Sequence, residues 1–379
     1  MIFFIVLTLV RTREAWKRVI TTFLLGGITL IPFIAYGVAT GKGVWVDMTP
    51  LSTEGTRMLS APHSFFVLTG LILFMNLYAH RDRRIAALGQ WAVPLFTIGS
   101  LGILVGLFRN LWLGFAIATI LTFGVVAREQ RVRLLGLFLK TGVLASSVVM
   151  LAIAGSILFL NNFSKIEAAS RPLLERIAIL NPTRIEDSST EFRAVIFKEG
   201  MRAFVQNPIA GVGFGRSIDV DVSDWTGEQK IRELHNTYAE LAVQMGVVGL
   251  LAFGMMLVSL AREGRHAYAV IPQDMKPAMI GVVAFLITML TITAFGTYFQ
   301  TNMYLLFFWT FAALLVAPLF FEKQKDRIGS YQDRKREILL SKRHVPQAIS
   351  AWSEARRAEA KLPREKNARP QEASDSGAA

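Results

Sequence analysis

The stretch Tyr238-Ala-Glu-Leu-Ala-Val-Gln-Met-Gly-Val-Val-Gly-Leu-Leu-Ala-Phe-Gly-Met-Met-Leu-Val-Ser-Leu-Ala261 carries one charged residue, Glu240, close to its start. An α-helix needs about 20 such residues to cross the hydrocarbon core of a bilayer. Seven further blocks read the same way: Val19–Ala39, Ser64–Ala79, Ile85–Phe108, Leu111–Ala127, Leu134–Leu160, Pro277–Phe299 and Met303–Phe321. Met1–Val10 is a ninth apolar block, too short to span, and reads as the tail of a span that begins upstream. The expected fold is therefore an all-α integral membrane protein, a polytopic helical bundle of about eight to nine spans. The chain's 53% hydrophobic residues and mean hydropathy of +0.42 exclude an ordinary soluble domain.

The net charge of +13 could suggest nucleic acid, but its placement argues otherwise. Excess Lys and Arg falls in Arg11–Arg18, Arg81–Arg84, Arg128–Arg133, Arg262–Lys276 and the tail after Phe321. The alternate segments are balanced, and Asn161–His235 has ten basic and eleven acidic residues. This bias stays in phase over all the spans, so it reads as topological, with the basic segments on the cytoplasmic side and in contact with anionic lipid. Nucleic acid is not an expected partner; the lipid bilayer is. There is no cysteine, which excludes disulfides and thiolate chemistry.

Four parts follow: an N-terminal transmembrane bundle over 1–160, a large extracytoplasmic loop domain over 161–235, a second bundle over 236–321, and a basic cytoplasmic tail over 322–379. About Asp333–Lys361 could be helical, and the rest of the tail reads as disordered.

Inside the large loop, Ser188-Ser-Thr-Glu191 fits a capping box that starts a helix, and Asn207-Pro208 stops it. At 100° per residue, Phe192, Ile196, Phe197, Met201 and Phe204 share one face, and Arg193 projects from the middle of it. A guanidinium stays charged, so a buried Arg193 must meet an anion or carbonyls. A structural salt bridge would satisfy it, and so would an anionic ligand. Arg109 is the one charge between Arg84 and Arg128, at an expected tight outer turn with Asn110. It could snorkel to the interface or bind a ligand. His235 opens His-Asn-Thr-Tyr238, just before a span, where an imidazole can be a structural partner or a general base. Gly211-Val-Gly-Phe-Gly215 has the wrong spacing for a dinucleotide site. It reads as a close backbone turn, or as a cluster of amides near a phosphate. His63, His80, His266 and His344 show no metal-ligand spacing, so neither a metal nor a cofactor is expected. Asp219, Asp221 and Asp224 could hold a cation weakly at most.

The run His235-Asn-Thr-Tyr-Ala-Glu-Leu-Ala-Val-Gln-Met-Gly-Val-Val-Gly-Leu-Leu-Ala-Phe253 resembles the signature of the O-antigen ligase and polymerase family. So does Arg193 … Asn207-Pro-Ile-Ala-Gly-Val-Gly-Phe-Gly215. Phe108-Arg109-Asn-Leu-Trp-Leu-Gly114 is similar to that family's Ser-Arg-Gly-Ala-Trp segment, with the serine and the glycine after the arginine replaced. Together these cover about Gly106 to Phe253. The resemblance implies a membrane glycosyltransferase of the GT-C type at the outer face of the bacterial cytoplasmic membrane. Such an enzyme takes a glycan from undecaprenyl pyrophosphate and passes it to lipid A-core, another lipid-linked glycan, or a protein. It implies Arg109 and Arg193 on the pyrophosphate and His235 at the acceptor or reaction centre. Gly211, Gly213, Gly215 and Asn236 complete the expected substrate-binding set. Two other functions compete: a lipid-linked oligosaccharide transporter, and a non-catalytic member of a polysaccharide assembly complex. The spans hold few ionisable groups, which weighs against a transport path.

Overall fold

The computed structural model describes residues 1–40, 61–105, 108–155, 188–220, 230–231, 233–296, 298–299, 302–321 and 353–357. Helices dominate: α1 Ile2–Leu9, α2 Arg13–Thr29, α3 Ile31–Thr40, α4 Ala61–Ala79, α5 Arg83–Ala86, α6 Ala92–Val105, α7 Arg109–Val125, α8 Arg128–Gly155, α9 Ser188–Gln206, α10 Thr237–Val270, α11 Lys276–Ile292 and α12 Asn302–Val316. The all-α expectation needs one small correction. Ile218–Asp219 (β1) pairs antiparallel with Lys230–Ile231 (β2), Ile218 opposite Ile231. Met1–Phe321 and Glu322–Ala379 are separate units, and within the second, residues 353–357 are helical.

Among the described residues, four helices are long and apolar enough to cross a membrane: Arg13–Ile34, Pro62–Ala79, Thr237–Val270 and Gln273–Phe295. Gly89–Leu104, Arg109–Val125 and Met303–Val316 are apolar but shorter. The expected block Leu134–Leu160 is helical as far as Gly155, and residues 156–160 lie outside the described set. Exposed apolar side chains line whole helices. Val132, Leu135, Leu139 and Val143 do so on α8, and Val248, Leu251, Met255 and Val258 on α10. Stripes of this extent are what a helix presents to lipid.

Polar links pin the helix ends. At one end, Lys17 reaches Asp274 at 2.6 Å and Arg133 donates to the Ala79 carbonyl at 3.1 Å. Each link joins two of the basic segments or their immediate neighbours, which the charge pattern had set on a common side. The indole of Trp16, fully buried, donates to the Leu314 carbonyl at 2.8 Å, tying the start of α2 to the end of α12. Midway, Gly27 and Gly70 bring α2 and α4 into backbone contact, the small-residue crossing that lets membrane helices approach closely.

One helix is broken where the sequence is continuous. Within α10, Gly246 has φ 64° and ψ −165°, a conformation open only to glycine. The break frees the carbonyls of Val243 and Gln244 and the amides of Val247 and Val248, which would otherwise bond one another. The segment after α9 takes up all four. Val212 N–H donates to Val243 at 2.8 Å and Gly213 N–H to Gln244 at 3.0 Å. Val247 N–H donates to Pro208 at 2.8 Å and Val248 N–H to Ile209 at 3.2 Å. Unpaired backbone beside lipid is costly, so residues 208–213 stand in for the missing helical turn.

Candidate active site

Helix α9 begins at Ser188 and ends at Gln206, just before Asn207-Pro208, as the stop signal requires. Its buried line is Phe192, Ile196 and Gly200, one residue per turn. With Ile218, Val220, Leu234, Ala239 and Val243 the two apolar side chains of that line form a core of their own. Leu234 packs where a side chain at Gly200 would stand. This corrects the expected face. Phe197 and Arg193 lie one position further round and are exposed. The apolar arc is wider than its contact, and the partner chosen, the segment leading into α10, seats on the Phe192 edge. Arg193 is therefore at the border of the packed face, not buried within it.

That border faces His235. The Phe192 and His235 ring centroids are 6.2 Å apart. His235 is mostly buried, and burial, then the Arg193 charge, lower its pKa to about 4. The imidazole is thus neutral near pH 7. Its backbone is left-handed, with φ 52°, which histidine tolerates better than most residues. Its neighbours hold that turn. Leu234 N–H donates to the Glu240 carboxylate at 2.8 Å, and the Asn236 side chain caps α10 by accepting from Ala239 N–H at 3.1 Å. Thr237 then donates to the Gly296 carbonyl at 2.9 Å.

The Gly296 link brings in Tyr298, which the sequence had placed inside a span. Helix α11 stops at Ile292, followed by a single 3-10 turn over Thr293–Phe295, so the expected span Pro277–Phe299 ends early. Tyr298 sits in the loop beyond it, 6% exposed, and accepts a hydrogen bond from the Asn110 side-chain amide. Burial and the nearby Tyr304 raise its pKa far above the ordinary range, while the Arg193 charge opposes them. Arg193 thus acts on both His235 and Tyr298. Asn110 follows Arg109, which is half-buried at the first residue of α7. The structure so gathers Arg193, His235, Tyr298 and Asn110; Arg109 precedes Asn110 at the helix start. Asn110 and Tyr298 carried no sequence signal, being 188 positions apart, although Gly296 could have been read as a helix stop.

Gly211, Gly213 and Gly215 have φ of 70°, 108° and 79°. Their amides have acceptors within the chain: Asn207 at 3.0 Å, Gln244 at 3.0 Å and the Gln244 side chain at 3.3 Å. Of the two readings of this run, the geometry is that of a close backbone turn. Asn236 likewise spends its side-chain oxygen on the helix cap. Among the described residues, no three His, Asp or Glu side chains are placed to hold a metal ion; Asp221 and Asp224 lie outside that set.

The family model described as O-Antigen ligase matches residues 94–254, a range that contains Arg109, Arg193, the glycine run and His235. No curated protein matches the chain. Over residues 94–254, and with them the helix start at Arg109, the border arginine and the left-handed histidine, this chain is similar to the O-antigen ligases.

Proposed function

We propose that the protein is a glycosyltransferase of cell-surface polysaccharide assembly, with undecaprenyl-pyrophosphate-linked glycan as its donor. The acceptor is a second glycan or lipid A-core. The site lies on the outer face of the bacterial cytoplasmic membrane and the tail on the inner face. One observation carries this reading: Arg193 follows Phe192, whose ring lies 6.2 Å from that of His235, within the range that matches the O-antigen ligase model, so a cation and a proton acceptor share one polar site beside apolar helices.

The chemistry runs as follows. Arg109 and Arg193 bind the pyrophosphate through paired N–H groups, helped by the positive end of α7. An acceptor hydroxyl attacks the anomeric carbon on the face opposite the pyrophosphate. The bond to the phosphate oxygen breaks, its electron pair leaves with the pyrophosphate, and the new glycosidic bond has inverted configuration. Fixed guanidinium groups neutralise the charge developing on the leaving group, so no metal is required. The hydroxyl proton passes to His235. A neutral imidazole is free to accept it, but at a pKa near 4 it is a weak base. Bound pyrophosphate offsets the Arg193 charge and so raises that basicity when the donor is in place.

A glycan gel from a deletion strain tests the proposal. Loss of long chains from lipid A indicates ligation, and single repeats on lipid A indicate polymerisation. An unchanged gel, with the lipid-linked donor not accumulating, would count against both.

A further inference from the structure

Tyr298 lies outside the family match of residues 94–254, and its hydrogen-bond donor Asn110 is one of the positions where this chain departs from the Ser-Arg-Gly pattern. The pair nevertheless sits within the candidate site. We infer that the Tyr298 hydroxyl, oriented by Asn110, donates a hydrogen bond to the pyrophosphate of the donor lipid. This rests on the pyrophosphate reading proposed above.

Four observations support it. A phenol oxygen that accepts from Asn110 still has its own proton to give. Asn110 has little freedom, because its oxygen accepts from the Leu111 amide at 3.0 Å in the first turn of α7. Its amide nitrogen therefore fixes the hydroxyl at the start of α7. The Tyr298 ring is clamped as well, stacked on Phe65 at 6.1 Å and edge-on to Tyr304 at 4.7 Å. Finally, Thr237 and Gly296 tie the Tyr298 loop to the segment that bears His235, at 2.9 Å. The result is a rigid donor within the field of Arg193. Burial keeps the phenol protonated at neutral pH, so it can donate to an anion and cannot compete with one. An anion at Arg193 is thereby offered a neutral donor in addition to the Arg193 guanidinium.

The purified full chain in nanodiscs, titrated with undecaprenyl pyrophosphate, tests this. Tyr298→Phe keeps the ring and its packing and should weaken binding about 10- to 100-fold, the worth of a hydrogen bond to a charged group. Asn110→Ala leaves Tyr298 in place and should also weaken binding. The double variant should bind no more weakly than Tyr298→Phe alone, because Asn110 acts through the hydroxyl; a clamp with a purely structural role would show in the melting temperature and not in this coupling. If Tyr298→Phe fails to fold, wild-type affinity in Asn110→Ala still overturns the inference. Wild-type affinity in Tyr298→Phe, together with weak binding in Arg193→Ala, would overturn the inference and leave the pyrophosphate reading standing. Absence of binding by the wild-type chain would overturn both.

Discussion

Arg193 and His235 are electrostatically opposed: the guanidinium adds to burial in holding the imidazole at a pKa of about 4. A positive neighbour disfavours the imidazolium, so removing it must raise the pKa. Arg193→Ala should move the His235 titration upward, part of the way to 6.5, because burial, the larger cause, remains. The chain has five histidines, few enough for NMR titration of the labelled protein. Undecaprenyl pyrophosphate added to the wild type should move the His235 resonance in the same direction. An unchanged titration in Arg193→Ala would separate the two residues.

Charge alone does not satisfy the proposed site. Arg193→Lys keeps the charge and loses the planar pair of donors, so it should lose most transfer activity while expressing normally. Arg109→Lys should lose less, since a half-buried arginine at a helix start also anchors that helix to the interface. Full glycan transfer by the Arg193→Lys protein would leave Arg193 a structural role only.

The crossing of residues 208–213 over the α10 break needs glycine on both sides. A methyl group at Gly246 would overlap the Ile209 carbonyl, and one at Gly211 would overlap the backbone of Gln244 and Met245. Gly246→Ala should destabilise the protein by more than the ~1–3 kcal/mol of backbone strain alone. Gly254→Ala, in the same helix with open space at its Cβ, should be neutral or slightly stabilising. Thermal unfolding in detergent separates them, and equal melting temperatures would mean the break is not held by these contacts.

The charge pattern predicts orientation. Alkaline phosphatase fused after Asp224 should be active, and fused after Lys342 inactive. The reverse pattern would place the site in the cytoplasm and remove the lipid-linked donor from its reach.

Much of the architecture was legible because it follows from local rules. Long apolar blocks gave the helices, Asn207-Pro208 ended α9 where expected, and the closely spaced glycines marked a close backbone approach. What the residues could not reveal depends on distant partners. Whether Arg193 is buried turns on which edge of a broad apolar arc meets Leu234 and Ala239. The break at Gly246 is invisible in a run that reads as one continuous span, since glycine is common in membrane helices. Tyr298 reads as the end of a span until the Thr237 to Gly296 bond is seen.

The most direct test is a reconstituted reaction. Purified chain, undecaprenyl-pyrophosphate-linked glycan and acceptor should yield free undecaprenyl pyrophosphate and a product of inverted anomeric configuration. His235→Ala should cut the rate about 10²- to 10⁴-fold, as loss of a general base does, with the protein still folded in the membrane. His235→Gln should stay equally slow, since an amide orients a hydroxyl but takes no proton from it. Arg193→Ala should lose both donor binding and turnover. Retained configuration in the product, or wild-type rates in His235→Ala and Arg193→Ala together, would contradict the account.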